Sequence, residues 1–423
     1  MDTTARPLAE TPIVSYPRYH SLDLIRGIAV LAILIVNIWA FAMPFAAYMN
    51  PPIWGDLSGW NQLVWLFSFV LVQEKFITMF SILFGAGVAL FAEHAQSKGH
   101  SVATLHYRRM VVLLFFGLVH AYGIWSGDIL VPYAVLGMIL FWFLPLKSKG
   151  VLISAISLIA VGLLLILLFG FSMQKMPAED LAEIQRSWSP TEQAIAKELA
   201  SLRSDYLSQW STRATNTFEL QTIMLSFYSF RLLAQMLIGV YLYRSGFLTG
   251  RLNDSTYVGI MMVGFGLGLP MAYTGASQLL AHNFAFEYAM GTGQLWNNIG
   301  SLLMAFGYMS LFLLWHRRGG LQRVRRALEN TGRMAFTIYI SSSVICSFIF
   351  YGHGLGLIGQ IERWQQLLLA LTICLLLTVF AAFWLQRFRQ GPLEALWRRL
   401  TYGRRVARSP NQQGGQDKPG VNP

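Results

Sequence analysis

Hydrophobic residues fall along this chain in long unbroken blocks, most of 18 residues or more, separated by short polar punctuation. Such a block is long enough to cross a hydrocarbon core of about 30 Å as a helix. The blocks lie roughly at 22–46, 60–92, 108–125, 129–146, 150–172, 223–245, 255–275, 294–315, 333–351 and 364–388. No alternating pattern of barrel strands occurs, so the backbone must satisfy itself within helices. The expected fold is all-α: a polytopic membrane helix bundle of about ten transmembrane helices. The block at 60–92 is too long for one upright crossing, and is expected to tilt or to begin as an interfacial segment near 60–67.

Charge fixes the expected orientation. Lysine and arginine cluster in every second loop: Lys98, Arg108 and Arg109; Lys147 and Lys149; Arg244 and Arg251; and six arginines from Arg317 to Arg333. Arg6 and Arg18 precede the first block, and Arg387, Arg389, Arg398, Arg399, Arg404 and Arg405 follow the last. The intervening short loops carry almost none, which predicts both termini in the cytoplasm. Residues 1–405 are expected to form one integral membrane domain, and 406–423, rich in Gly, Pro and Gln, a disordered cytoplasmic tail. No cleavable signal is expected, because residues 1–20 are polar and the next block exceeds a signal core.

Composition agrees: 55% of residues are hydrophobic and only 12% charged, too few to coat soluble domains of this length. The net charge of +12 follows from loop arginines rather than from a basic face interleaved with aromatics, so no nucleic-acid partner is expected. Cys346 and Cys374 lie inside blocks at different depths and read as small apolar side chains.

The one long outer loop, 173–222, mixes both charge signs. Ser189-Pro190-Thr191-Glu192 predicts a capping box, and Ile195, Leu199, Leu202, Tyr206 and Trp210 recur at helical spacing. One amphipathic helix is expected there, capping the bundle mouth or acting as a substrate lid.

Ionisable residues inside spans are costly and therefore candidates for function. Asp23 and Arg26 share a helix face, as a local ion pair or a donor site; Asn37 lies roughly 16 Å deeper, as interhelical glue or an oxyanion donor. Glu74 and Lys75 point about 100° apart and should pair with other helices. His120 stands near Asp128, the minimum for general-base chemistry, although a membrane histidine more often packs. Arg231 and Gln235, one turn apart, match the depth of Glu74, His120 and Asp128, and Glu287 and His282 are placed near the same mouth. Thr337, Tyr339 and Ser341 to Ser343 make a polar stripe. Gly264 and Gly268 form a small-xxx-small packing pair. Metal-ligand spacing, P-loops, dinucleotide fingerprints and nucleophile elbows are absent, so no metal site and no resident cofactor are expected.

The residues Ser21-Leu22-Asp23-Leu24-Ile25-Arg26-Gly27-Ile28-Ala29, then Asn37, Glu74-Lys75-Phe76, Phe80 to Gly85, Arg108-Arg109, Gly117 to Ala121, Gly127 to Leu130, Thr331-Gly332-Arg333-Met334-Ala335 and Gly391 to Arg398 resemble the YeiB-like family of bacterial membrane proteins, whose domain has no assigned function. The opening motif also looks like that of two membrane acyltransferase families: bacterial O-acyltransferases of surface polysaccharide, and the heparan-α-glucosaminide N-acetyltransferase group. The first has a histidine where this chain has Asn37; the second shares the asparagine but carries its catalytic histidine in the first outer loop. Here 44–59 contains none. The resemblance implies a bacterial inner-membrane location and an acyltransferase drawing on cytoplasmic acyl-CoA as co-substrate. A small-molecule or glycan acceptor would sit at the outer face, with His120 as base, Asp128 as its orienting carboxylate, Asn37 or Arg231 at the oxyanion, and Arg26 and the arginines of 317–333 meeting the donor phosphates. The alternative is a transporter of a small, anionic solute using Arg231, Glu74 and Lys75; the missing inverted repeat weighs against it. A third reading, a sensor or assembly partner, would use the outer loop. Oligomeric state stays open.

Overall fold

The structure, a computed structural model, describes residues 19–403. The expected tail at 406–423 and the terminal basic residues Arg6, Arg18, Arg404 and Arg405 lie outside them. Among the described residues every regular element is helical. The helices are α1 (His20–Ala42), α2 (Ala46–Met49), α3 (Gly59–Leu71), α4 (Lys75–Ser97), α5 (Val102–Gly123), α6 (Leu130–Leu140), α7 (Ser148–Met173), α8 (Ala178–Trp188) and α9 (Glu192–Leu202). They continue with α10 (Trp210–Ile223), α11 (Ser229–Arg244), α12 (Asp254–Ala281), α13 (Phe286–Met290), α14 (Gly293–Arg318), α15 (Gln322–Arg333), α16 (Ala335–Phe350), α17 (Arg363–Arg387) and α18 (Pro392–Tyr402).

Among the described residues, eight helices or joined helices are long and apolar enough to cross a bilayer, and a ninth is reached if α15 and α16, bent by 84°, count together. The chain is thus a multi-pass membrane protein. The remaining expected block, 129–146, is the apolar helix Leu130–Phe143, shorter than the about 20 residues that a full crossing needs.

The long second block is interrupted by a break between α3 and α4. Backbone bonds from Val72 and Gln73 to Ser68 end α3, and Glu74 takes a left-handed conformation at φ 68° before α4 begins. A non-glycine residue there carries strain of order 1–3 kcal/mol, held only by its surroundings. The block at 333–351 is likewise split: α15 is amphipathic and turns sharply at Met334 into α16.

The bundle packs on small residues. At the crossing of α1 and α15, a Cβ on Gly27 would lie 2.0 Å from the Leu328 carbonyl, and one on Gly332 would lie 1.8 Å from the Asp23 carbonyl. At the crossing of α4 and α11, Gly85 and Gly239 meet Met236 and Ile82 backbone just as closely. The blocks at 150–172 and 364–388 are nearly free of polar groups, as lipid-facing walls would be, and only 11% of the apolar window of α7 and 22% of that of α17 is covered by protein.

The segment after α7 forms three helices, not one. Thr191, not Ser189, caps α9 by accepting from the Ala194 amide at 3.2 Å, while Ser189 ends α8. Tyr206 and Trp210 do not continue α9. The Asp205 carboxylate accepts from the amides of Leu207 at 3.0 Å and Ser208 at 3.1 Å, and this local turn stops the helix. The three helices are pinned across one end of the bundle. Glu198 accepts from the Phe45 amide, Arg203 donates to the Ile358 carbonyl, Thr217 to Ala121 and Gln221 to Asp128. These bonds seat the segment against that end of the bundle.

Candidate functional site

A cavity of about 1130 Å³ runs through the bundle. Arg26, Arg109, Arg333, Glu394 and Trp397 line one end, and Ile184, Ser187, Trp188 and Phe286, beneath the cap, line the other. Between them the walls are mostly aliphatic and aromatic, with Asn37, Glu74, Asp128, Tyr133, Arg231, Gln235 and Tyr339 facing in.

The break between α3 and α4 presents the first polar group. Because Glu74 leaves the helix in the left-handed region, its carboxylate reaches α11, where Arg231 Nη1 donates to Oε2 at 2.7 Å. The other guanidinium nitrogen donates to Ser301 Oγ at 2.9 Å. The pair is mutually neutralised, as an ion pair inside a membrane must be. One turn further along α11, Gln235 donates to Thr78 Oγ1 at 3.1 Å, while its Oε1 is buried with no partner.

Lys75 turns away from the cavity. Its fully buried ammonium donates to the Phe69 carbonyl at 2.7 Å and to Asn297 Oδ1 at 2.5 Å. It ties the end of α3 to α14, which holds the break in which Glu74 sits. Expected as a substrate contact, it is placed as a brace, because Lys75 opens α4 while Glu74 stands in the left-handed break before it, and the two side chains point apart.

The second polar group stands on the turn between α5 and α6. His120 Nδ1 is 2.7 Å from Asp128 Oδ1, and both side chains are almost completely buried. Asp128 Oδ2 accepts from the Val131 amide at 2.7 Å and so caps the first turn of α6. With Nδ1 facing a carboxylate, that nitrogen carries the proton and Nε2 is the free base; Nε2 has no partner. The imidazole packs against Tyr339 at 5.1 Å and Trp125 at 6.3 Å, ring centre to ring centre. Asp128, Trp125 and Tyr339 line the cavity and the imidazole does not, so His120 lies one side chain behind the wall.

At the arginine end, Arg26 pairs with Asp23 at 3.0 Å, which makes the local ion pair real. The Arg109 guanidinium lies over the rings of Phe91 at 4.3 Å and Trp397 at 5.3 Å, with no carboxylate partner among the described residues. Arg333 donates to Asn330 and to the Arg389 carbonyl. Glu394 closes this end: its carboxylate accepts from the amides of Phe336 at 2.8 Å and Thr337 at 3.0 Å, and from the Thr337 hydroxyl. It occupies the N-terminus of α16, where the helix dipole favours negative charge. Burial pushes its carboxyl above the usual range, against those hydrogen bonds.

Arg26, Asn37, Glu74, Asp128, Arg231 and Gln235 thus share one cavity. Glu287 and His282 do not reach it: Glu287 accepts from Gln185 at 2.6 Å, and His282 stacks on Tyr288 at 3.9 Å, both exposed. Of the arginines from 317 to 333, only Arg333 lines it. The polar stripe of α16 divides: Tyr339 faces the cavity, Thr337 binds Glu394, and Ser342 and Ser343 bond back to the Tyr339 carbonyl. Sequence reasoning missed Arg109, Glu394, Tyr133 and Tyr228 as lining residues. The first two sit in loop motifs that resemble topology signals, and the tyrosines are indistinguishable from core aromatics without a neighbour. Among the described residues no group of His, Cys, Asp and Glu is placed to hold a metal.

A family model described as a protein of unknown function, DUF418, matches residues 242–404. Over 390 residues the chain is 31% identical to the uncharacterized protein YeiB of Escherichia coli strain K12, covering 91% of this chain and 96% of that one. Over 405 residues it is 30% identical to the uncharacterized protein YxaH of Bacillus subtilis strain 168, covering 92% and 96%. No solved structure matches it. Similarity of this extent, running through both ends of the cavity, makes the chain a member of the YeiB-like family of membrane proteins.

Proposed function

We propose that the protein is a transmembrane acyltransferase. The observation that supports this reading is the His120–Asp128 pair, with a free Nε2, set one side chain behind the wall of a cavity whose far end is ringed by arginines. A phosphate-bearing acyl thioester such as acyl-CoA binds at the end bearing Arg26, Arg109 and Arg333, where the Arg109 cation lies on an aromatic shelf with no carboxylate partner among the described residues. The thioester arm reaches along the apolar bore towards Asn37 and Asp128.

Once the Trp125 or Tyr339 ring turns aside to open the wall, His120 Nε2 removes the proton from the acceptor hydroxyl or amine as its oxygen or nitrogen attacks the thioester carbonyl. The bond to the acyl carbon forms as the carbon–sulfur bond breaks. The proton then passes from His120 to the leaving thiolate, so the step is balanced. Asp128 holds the imidazole tautomer and stabilises its cationic form. Asn37, which faces the cavity with no hydrogen-bond partner among the described residues, donates to the developing oxyanion.

The runner-up is transport of a small solute, favoured by a bore that reaches both ends of the bundle and by the Glu74–Arg231 pair within it. Thermal midpoints of the detergent-purified protein against a panel of acyl-CoAs and free CoA separate the two. Ligand at a hundred times its dissociation constant stabilises by about 2.7 kcal/mol. A shift with an acyl-CoA that Arg109→Ala and Arg26→Ala abolish supports transfer. No shift with any CoA in a folded sample removes the acyltransferase reading and leaves transport.

A further inference from the structure

The cavity opens towards the bilayer on one side. Helix α7 turns Ile159, Gly162, Leu163, Ile166 and Phe169 inward at helical spacing to line it. None of these is fully buried, because the space they face is hollow. On the opposite face of α7, Leu164, Leu168 and Phe171 are exposed where lipid would lie. Helix α7 is therefore a single-helix wall between lipid and cavity.

Its neighbour is the junction of α10 and α11, where five residues, Met224–Tyr228, form a π-helical turn. Such turns are rare, widen the helix and recur at functional sites. Ile223 and Phe227 at this junction, and Leu165 on α7, both line the cavity and are exposed on the outer surface. They mark a seam continuous with the hydrocarbon, closed by the rings of Phe169 and Phe227 at 5.8 Å. By helix length from the basic ends of α7 and α11, the seam lies in the leaflet away from the arginines.

The polar groups inside the seam carry no net charge. Arg231 is neutralised by Glu74, and around them Tyr48, Tyr228, Gln235, Gln294 and Asn298 are uncharged. One end of the Gln235 amide, 97% buried by its 3% exposure, has no protein partner. A hydroxyl both donates and accepts, and satisfies that amide in either orientation. A phosphate would bring negative charge to this seam, where no spare cation stands among the described residues; Arg26, Arg109 and Arg333 lie at the other end of the cavity.

We infer that the cavity is a binding site for an uncharged, hydroxyl-bearing membrane lipid, admitted sideways between α7 and the π-helical junction. Its hydrocarbon chain lies in the bore and its hydroxyl against Gln235 and the Glu74–Arg231 pair. The role of this lipid as the acyl acceptor rests on the acyltransferase reading; its binding does not.

The test uses full-length protein in phosphatidylcholine vesicles containing a trace of diacylglycerol with a photoactivatable chain, and no acyl donor. Labelled residues are mapped by mass spectrometry. The inference expects labelling at the inward residues Leu163 and Ile166 as well as at the outward residues Leu164 and Leu168. Excess unlabelled diacylglycerol should remove the inward labelling alone, and phosphatidic acid with the same chains should not. Gly162→Trp should abolish inward labelling while outward labelling and the thermal midpoint persist. Labelling confined to outward residues overturns the site, and equal displacement by phosphatidic acid overturns the uncharged headgroup. Lipid labelling without any CoA-dependent shift would leave the site standing and remove only its role in acyl transfer.

Discussion

His120 Nδ1 and Asp128 Oδ1 stand 2.7 Å apart on the turn between α5 and α6. Burial of both side chains makes this hydrogen bond the determinant of the imidazole tautomer. The same carboxylate caps α6 through the Val131 amide, so one residue couples the orientation of the ring to the start of a helix. The cap above holds the turn from outside, through Thr217 to the Ala121 carbonyl and Gln221 to the Asp128 carbonyl.

This pair predicts a separation of activity from folding. His120→Ala should lower acyl transfer by about 10²–10⁴, the usual share of a general base. Asp128→Asn keeps an oxygen for Val131 but turns an N–H donor towards Nδ1, and should reduce turnover while the thermal midpoint changes little. Unchanged acyl-donor consumption in both variants would sink the assignment.

The Glu74–Arg231 pair predicts strong coupling. Glu74→Gln and Arg231→Gln should each lower the thermal midpoint, since each strands a charge in the membrane. The double variant should be less destabilised than the sum, with a coupling of about 0.5–3 kcal/mol. Both groups keep some exposure to the cavity, 18% and 24%, which places the expected value towards the lower part of that range. Additive losses would show that the pair does not act as a unit.

The crossing of α1 and α15 predicts intolerance of one methyl group. In Gly27→Ala the new Cβ would lie 2.0 Å from the Leu328 carbonyl, so the helices must separate. Overpacking of this kind costs about 1–3 kcal/mol. Since Arg26 and Arg333 adjoin the crossing glycines, the variant should also weaken any anion-dependent stabilisation at the arginine end. A thermal midpoint equal to that of the unmodified protein would refute the close approach.

Glu394 predicts a pH dependence. Its carboxyl is raised from the ordinary value of 4.5 by burial, so the folded state binds the proton more tightly than the unfolded state. The stability this contributes is fully present below pH 4.5 and is lost as pH rises through the folded value. Glu198, raised for the same reason under the cap, acts in the same direction. The thermal midpoint of Glu394→Gln, measured across this range, should fall less steeply with pH than that of the unmodified protein. Parallel curves would exclude a role for this carboxyl.

Much of the candidate site was legible one residue at a time. Asn37, Glu74, Arg231 and Gln235 stand out because polar side chains in apolar blocks are costly, and Asp128 because it stands near His120; all five share one cavity. Lys75 obeys the same rule yet serves as a brace to Phe69 and Asn297, because direction on the helix, not polarity, decides what a side chain meets. Gly264 and Gly268 announced a packing face, and α14 supplies its partner at Leu303, Gly307 and Gly300.

The apolar blocks by themselves determined the helical, membrane-spanning class of this protein, since in lipid only backbone that bonds to itself survives. They also marked the lipid-facing character of α7 and α17, through the near absence of polar groups. Tertiary structure alone decided where the helices break, at Glu74 and Met334: the Glu74 carboxylate is met by Arg231 of α11, and the amides that follow Met334 are met by Glu394 of α18. It alone decided that Glu394 closes one end of the cavity and that α7 is a wall with a hollow behind it. Such features depend on which surfaces fail to meet, and a one-dimensional pattern records only which residues avoid water.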